Sequence, residues 1–375
     1  MRSGELIQNL TGAMAYQSFR PSPLPPVPPL ELSPEMCKAL VLAHTSLSRL
    51  DAVAARLPDL DLFISMYLRR EAVFTSQIEG TQCTLDDLLE PTNASNANLS
   101  VGEVLNCLQA LHFALERLET LPLCNRLLQE THAILIGKGR GQDKTPGEFR
   151  HSQNWLGPAG CTLRDARYVP PNVEDMLNAM HDWELYLHRE DQEPLIQLAL
   201  AHYQFETIHP FLDGNGRLGR LLIPLVLVVR QLLSQPVIYV SYFLKKNQVE
   251  YYDRLTEVRR TGNYEQWVFF FLEAIANAAK DALENIEKIS ALHQEDAARL
   301  VAHPHSTSTA MRLFEYIKRQ PIIAIGPTAK ALGMSYNTIS GAIRTLETAD
   351  ILASVKAQRR NRLWAYSKYL EILRD

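Results

Sequence analysis

The chain has 375 residues, 46% of them hydrophobic and 21% charged, with a formal net charge of −4. Such a composition belongs to a globular protein long enough for two or three domains. No apolar run reaches the roughly 18 residues that cross a bilayer, and the first residues lack the apolar centre of a signal peptide. The five cysteines are odd in number, scattered and without a CxxC pair, which predicts a reduced, cytoplasmic protein with no membrane partner.

Charge is uneven. Residues 301–375 hold eleven Lys and Arg against five Asp and Glu, a net of +6, which leaves −10 on the first 300 residues. A basic tail on an acidic body predicts separate partners for the two parts.

In chain order, the proline-rich "RPSPLPPVPP" (20–29) predicts an extended strap across its own domain. Residues 34–90 follow a helical pattern. Within it, "DLFISMYLRREAVFTSQIEG" (61–80) sets Phe63, Met66, Tyr67, Arg70, Phe74 and Ile78 at three- and four-residue steps, with Gly80 as a helix stop. The polar "PTNASNANLS" (91–100) reads as a loop. Helices follow at 102–118 and 123–136. Residues 139–171 break the pattern and predict loops with a small β-hairpin. Helices return at 173–188, 194–207, 216–234, 246–260 and 264–290.

The last 70 residues read as a helix, a helix–turn–helix and a hairpin. Ala329, Leu332, Ile339, Ile343 and Leu346 form the apolar stripe of two short helices, with Gly333 at the turn. Tyr336, Asn337 and Ser340 then start a recognition helix, and Lys356, Arg359, Arg360 and Arg362 tip a wing, a layout that suits DNA or protein contact. The expected fold is mainly α: a helical core with a small β-hairpin flap, and a C-terminal winged helix-turn-helix domain. The expected boundaries are an N-terminal helical region over 1–100, a core over 101–290 and the winged helix over 300–375.

The densest chemistry is "HPFLDGNGRLGR" (209–220). Gly214 and Gly216 are expected at positive φ, exposing successive N–H groups as an anion nest at the start of a helix. Asp213 offers the single carboxylate that Mg²⁺ prefers alongside phosphate oxygens. Arg217 and Arg220 lie near one helix face with forks suited to phosphate. His209 can act as a base beside a metal-bound phosphate. The Walker pattern GxxxxGK[ST] is absent.

This stretch resembles the signature of Fic-domain proteins, HxFx[D/E]GNGRxxR, at every specified position. The resemblance implies transfer of AMP from ATP to a Ser, Thr or Tyr hydroxyl of a target protein or of the chain itself. It implies His209 as base, Asp213 as the Mg²⁺ ligand, and Gly214, Asn215 and Gly216 around the α-phosphate. Arg217 and Arg220 would meet the β- and γ-phosphates, with Phe211 anchoring the loop. "ARYVPP" (166–171) is similar to the flap that aligns a target strand, giving Tyr168, Val169 and Pro170 a docking role. "YFLKKNQVEYYDRL" (242–255) is similar to the segment lining the nucleoside pocket, with Asn247 and Tyr252 as contacts. Where some members have Asn at the adenine, this chain has Arg259. Kinases of the Doc type lose the second glycine and final arginine, which this chain keeps; a phosphocholine-transfer variant also exists in the family.

"TSQIEG" (75–80) resembles the family's inhibitory motif [S/T]xxxE[G/N], with Thr75, Glu79 and Gly80 in place. The spacing puts Thr75 and Glu79 one turn apart. The resemblance implies that Glu79 pairs with Arg220 and keeps it from the γ-phosphate. Related proteins often dimerise, and in some the same glutamate helps water remove AMP. The alternatives are therefore a de-AMPylase using Glu79, or a DNA-binding regulator whose core senses ATP.

Overall fold

The computed structural model describes residues 1–90, 99–137, 141, 143–158, 160–355 and 362–374. Its helical body opens where Ser33 accepts a hydrogen bond from Met36 N and Pro34 occupies the first turn of α1 (Pro34–Ala54). α2 (Leu60–Ile78) buries the stripe predicted for it, including Met66, Tyr67 and Arg70. Arg70 is tolerated there because Asp281 Oδ2 accepts from it at 2.5 Å. α3 (Leu85–Leu89), α4 (Leu99–Arg117), α5 (Asn125–Ile136) and α6 (Val173–Leu187) follow.

At the centre lies α7 (Pro194–Ile208). It is buried on all sides, every residue from Leu195 to Ile208 included, and its polar residues Gln197, His202, Gln204 and Glu206 are buried with the rest. α8 (Asn215–Val229) packs on α7 after a six-residue connection. The helix expected over 246–260 is α10 (Gln248–Thr261), and a further short helix, α9 (Ser241–Lys246), precedes it with Asn247 between them. α11 (Tyr264–Ala302) runs 39 residues and packs along α1. It continues past the expected end at 290 because Asp296 and Leu300 are buried under the tail.

The hairpin expected within 139–171 is not formed among the described residues there, and an unexpected one stands at the N-terminus. β1 (Gly4–Asn9) pairs antiparallel with β2 (Tyr16–Pro21). Among the described residues of 139–171 there is a single bridge, Leu156 with Tyr168. The proline-rich strap crosses its own helices: Ser22 O accepts from Gln204 Nε2 at 2.9 Å, and Pro28 O accepts from Arg2 Nε at 2.7 Å.

The tail comprises α12 (Ser308–Arg319), β3 (Ile322–Ile323), α13 (Ile325–Leu332), α14 (Tyr336–Thr348), β4 (Ala353–Ser354), β5 (Trp364–Ala365) and α15 (Ser367–Arg374). Its antiparallel sheet has the order β3-β5-β4. Gly333 turns the chain at φ +63° between α13 and α14. Lys356, Arg359 and Arg360 lie outside the described residues, whereas Arg362 is exposed. α15 escaped the sequence reading. It pins the tail to the body through Arg374 and Asp86 at 2.5 Å, joined by Gln320 Nε2 donating to Leu89 O.

Candidate functional site

α7 ends at His209, which sits in the left-handed region at φ 52°, ψ 60°, an uncommon conformation for a residue with a Cβ. Its neighbours hold it there. The His209 carbonyl accepts from Arg150 Nε at 3.0 Å and Asn154 Nδ2 at 3.1 Å. Its Nδ1 lies 3.3 Å from Glu206 O. A carbonyl only accepts, so Nδ1 carries the proton and Nε2 keeps its lone pair. Burial pushes the imidazole down to about 4, with the Glu206 carbonyl and the Glu79 charge opposing.

The loop after His209 is held from within and from beneath. Phe211 is fully buried and stacks on His132, ring centroids 3.8 Å apart. Asn215 folds its side chain back, accepting from Phe211 N at 2.9 Å and donating to Phe211 O at 2.8 Å. Its amide therefore shapes the loop and leaves only its backbone for a ligand. Gly147 N donates to His132 Nδ1 at 2.9 Å, so Nε2–H donates to Asp213 O at 2.9 Å. Burial pushes the His132 imidazole down to about 4, which keeps it neutral for both bonds.

Gly214 has φ +77°, as expected. A Cβ there would also meet Ile136 Cδ1 at 2.7 Å. Gly216 corrects the expectation: it is helical, in the first turn of α8. Glycine is needed there because a Cβ would overlap Glu79 Oε1. The reason is packing against α2, not backbone conformation.

Asp213 Oδ1 accepts from Gly214 N at 2.6 Å and from Arg217 Nη2 at 3.3 Å. Oδ2 faces Gly141, 2.9 Å from where a Cβ would stand. One carboxylate oxygen is thus open to a cation. No cluster of three or more His, Cys, Asp or Glu residues exists among the described residues. Asp213 would offer Mg²⁺ one carboxylate, with phosphate and water completing its shell. Arg217 is 95% buried and its Nε has no partner among the described residues. An orphaned guanidinium donor beside helix N–H groups fits an anion.

Arg220 is gripped by α2. Its Nε donates to Thr75 Oγ1 at 2.7 Å, and its Nη2 donates to Thr75 O at 3.0 Å and Glu79 Oε1 at 2.6 Å. Glu79 is the C-cap of α2. Gly80 follows at φ +88°, and Thr81 N closes the helix end on Ser76 O at 3.1 Å. Burial pushes the Glu79 carboxyl up, but Arg220 outweighs it and holds the group below the usual carboxylate range.

Tyr252 joins this cluster. Its phenol is pushed up to about 12 by burial and by the Glu79 charge. Asn247 does not join it: its Nδ2 donates to Phe243 O at 2.9 Å, and it lines an open groove of about 810 Å³ with Lys245, Glu250 and Arg254.

The flap residues are close but already bonded. Tyr168 exchanges both backbone bonds with Leu156, and its hydroxyl donates to Thr207 O at 2.6 Å. Arg259 stacks over its ring at 4.0 Å. Val169 O accepts from Phe19 N of β2 at 3.0 Å, and Pro170 O accepts from Gln153 Nε2 at 2.9 Å. The edge expected to meet a target strand carries the chain's own N-terminal strand. Sequence reading missed Arg150, Asn154, His132, Glu206 and Phe19 at this site. Only His132, a lone imidazole in the apolar helix "LLQETHAILI", carried a visible signal.

Residues 37–116 match the Fic/DOC family N-terminal region and residues 122–227 the Fic/DOC family domain. Protein adenylyltransferase Fic of Nematostella vectensis is 45% identical over 137 residues, which is 35% of this chain and 29% of that protein. The protein of the same name in Aedes aegypti is 32% identical over 130 residues, 34% of this chain and 23% of that one. The match thus spans less than a third of either relative. A crystal structure of a Fic family protein from Desulfovibrio desulfuricans superposes on 90% of this chain and 97% of its own, with a TM-score of 0.57 at 20% identity. A Fic-domain signaling protein from Bacteroides thetaiotaomicron covers 66% of this chain and 97% of its own, with a TM-score of 0.52 at 18% identity. Two adjoining regions in chain order, the second holding the 209–220 loop, show that this chain carries the N-terminal and main domains of the Fic/DOC family.

Proposed function

We propose that the chain is a self-inhibited protein adenylyltransferase that moves AMP from ATP to a hydroxyl side chain of a target protein or of itself. The observation that carries this reading is the three-bond grip of Thr75 and Glu79 on Arg220, directly over the Gly216 turn of the loop. His209 Nε2 takes the proton of the target hydroxyl. The freed oxygen attacks the α-phosphorus, the bond from that phosphorus to the bridging oxygen of the β-phosphate breaks, and pyrophosphate leaves. The N–H groups opening α8 and the guanidinium of Arg217 meet the phosphates, and Arg220 joins them once α2 releases it. Mg²⁺, held by Asp213, would supply further neutralisation of phosphate charge when bound.

Tyr252 belongs to the nucleoside side of this site. Asn247 can serve there only after leaving Phe243 O. Strand docking at Tyr168, Val169 and Pro170 requires β2 to yield the Val169 edge. The division into an N-terminal region (1–100), a core (101–290) and a winged helix (300–375), a cytoplasmic location, a homodimer and DNA contact through α14 complete the reading. The three-stranded order β3-β5-β4 beside α13 and α14 supports the winged helix. A second reading, AMP removal, is favoured by one observation: the Glu79 charge acts directly on His209, so a carboxylate and an imidazole could share one water.

The test is ATP labelled at the α-phosphate, incubated with wild type, Glu79→Gly and Glu79→Gly/His209→Ala, alone and with cell lysate. Label on protein, strongest with Glu79→Gly and absent from the double variant, is expected. No label from any of them, with ATP binding intact, overturns the transferase reading. Loss of AMP removal in Glu79→Gly would then favour the second reading.

A further inference from the structure

Gly216 and Gly219 stand three residues apart on one side of α8. A Cβ on the first would overlap Glu79 Oε1, and a Cβ on the second would overlap Glu206 Oε1. The two missing side chains make a trough along the helix, and a carboxylate fills each end. Arg220 lies in the same trough, its Nη1 reaching back to within 3.0 Å of the Gly216 Cβ position. Glu79 bonds the guanidinium. Glu206 does not: it is only 8% exposed, and its Oε1 has no hydrogen-bond partner among the described residues. A buried carboxyl left unpaired is costly, so its retention beside an arginine calls for a use.

The charged and titratable groups coupled electrostatically to Glu206 are Arg220 on α8, Glu79 at the end of α2, and Arg259, Tyr251 and Tyr252 on α10. His209 follows it on α7. Burial pushes the Glu206 carboxyl up to about 7, with Glu79 adding to that rise and Arg220 and Arg259 opposing it. Withdrawal of Glu79 removes a like charge from Glu206 at the moment Arg220 loses its bonded partner. Both changes favour ionised Glu206.

We propose that Glu206 is the resident counter-ion that takes over Arg220 when Glu79 withdraws, keeping the guanidinium aligned along the Gly216–Gly219 trough for the triphosphate. The inference rests on the reading of Arg220 as a phosphate ligand. Glu206 is a positioning residue, since it acts through Arg220 and touches neither nucleotide nor target.

The test measures Mg²⁺–ATP affinity of the full chain by calorimetry between about pH 6 and 8, with AMP transfer assayed in parallel. The proteins are Glu79→Gly, Glu79→Gly/Glu206→Gln and Glu79→Gly/Glu206→Asp. Gln keeps the shape and removes the charge. Loss of one charge-assisted contact predicts about tenfold weaker ATP binding and a matching rise in KM, with kcat within about threefold. Asp restores part of the loss. In Glu79→Gly, binding tightens as pH rises through a midpoint below about 7, beyond the change shown by the Gln variant, whose profile carries only the titration of ATP itself. Affinities of Glu79→Gly and Glu79→Gly/Glu206→Gln that agree within about twofold, or identical pH profiles, overturn the inference. ATP binding without transfer in any protein overturns the proposed activity while the affinities still decide Glu206. Failure of Glu79→Gly to bind ATP overturns both.

Discussion

The loop from His209 to Arg220 and the segment from Arg150 to Pro171 meet at His209, yet they are built differently. The first is braced by bonds within itself, besides those it takes from His132, Arg150 and Asn154. Asn215 ties Phe211 from four residues away, and Gly214 and Asp213 close the turn between them. The second owes its shape to distant chain: Val169 is held by Phe19, Gln153 by Tyr16, and Arg150 by the His209 carbonyl. Local bonds make the first region a fixed tool. Long-range bonds shape the second, and the bonds of Thr75 and Glu79 to Arg220 are long-range too.

The largest effect should come from the fixed region. In the Glu79→Gly background, His209→Ala removes the base and should lower AMP transfer by about 10²–10⁴-fold while leaving ATP binding nearly intact. A drop in both together would mean that His209 holds the loop's shape, and the contrast between the two regions would fail. Next comes the lock. A charge-assisted bond contributes roughly 1.5–3 kcal/mol, and Glu79 is 37% exposed, so the lower part of that range applies. Glu79→Gly should therefore raise transfer by about tenfold or somewhat more.

The Val169 edge should respond more weakly. Ser22 N donates to Ser3 O, and alternation along the hairpin leaves the Phe19 N–H pointing away from β1. Phe19→Pro deletes that donor without breaking the hairpin ladder, and Phe19→Ala loses the same ring but keeps it. In the Glu79→Gly background, the Pro variant should modify an added target protein about threefold faster than the Ala variant, the equivalent of one modest hydrogen bond. Equal rates would mean that targets approach without using the Val169 edge.

Legibility follows the same division. The motif residues could be placed because their spacing alone fixes a loop entering a helix, and Thr75 and Glu79 could be paired because four residues make one turn. The tail's helix–turn–helix was readable from its stripe and Gly333. What stayed hidden was set by partners far along the chain. The hairpin of β1 and β2 went unread, and its bond to Val169 joins residues 150 apart in the chain. The role of Gly216 was misassigned because its constraint is the Glu79 carboxylate, not its own φ. Asn247 resembled a nucleoside contact in sequence, yet it breaks α9 from α10 and turns its amide to Phe243. α15 hid because eight residues at a chain end carry too little periodicity to separate from a frayed terminus.

The smallest expected effect concerns the lock as a stabilising contact. Arg220 holds the folded-state Glu79 carboxyl below its usual 4.5. A depressed carboxylate stabilises the fold above its unfolded pKa, and that contribution is lost as pH falls through the folded value. Glu79→Gln keeps the size and the hydrogen-bonding capacity but not the charge. Near neutrality it should lower the melting temperature by about 1–3 °C, as roughly 1 kcal/mol does in a chain of this size. The difference between wild type and variant should shrink as pH falls below about 4.5. A constant difference across that range would assign the stabilisation to packing on Gly216 and the Thr75 bonds. α2 would then hold Arg220 largely by shape, and release would require moving the helix itself.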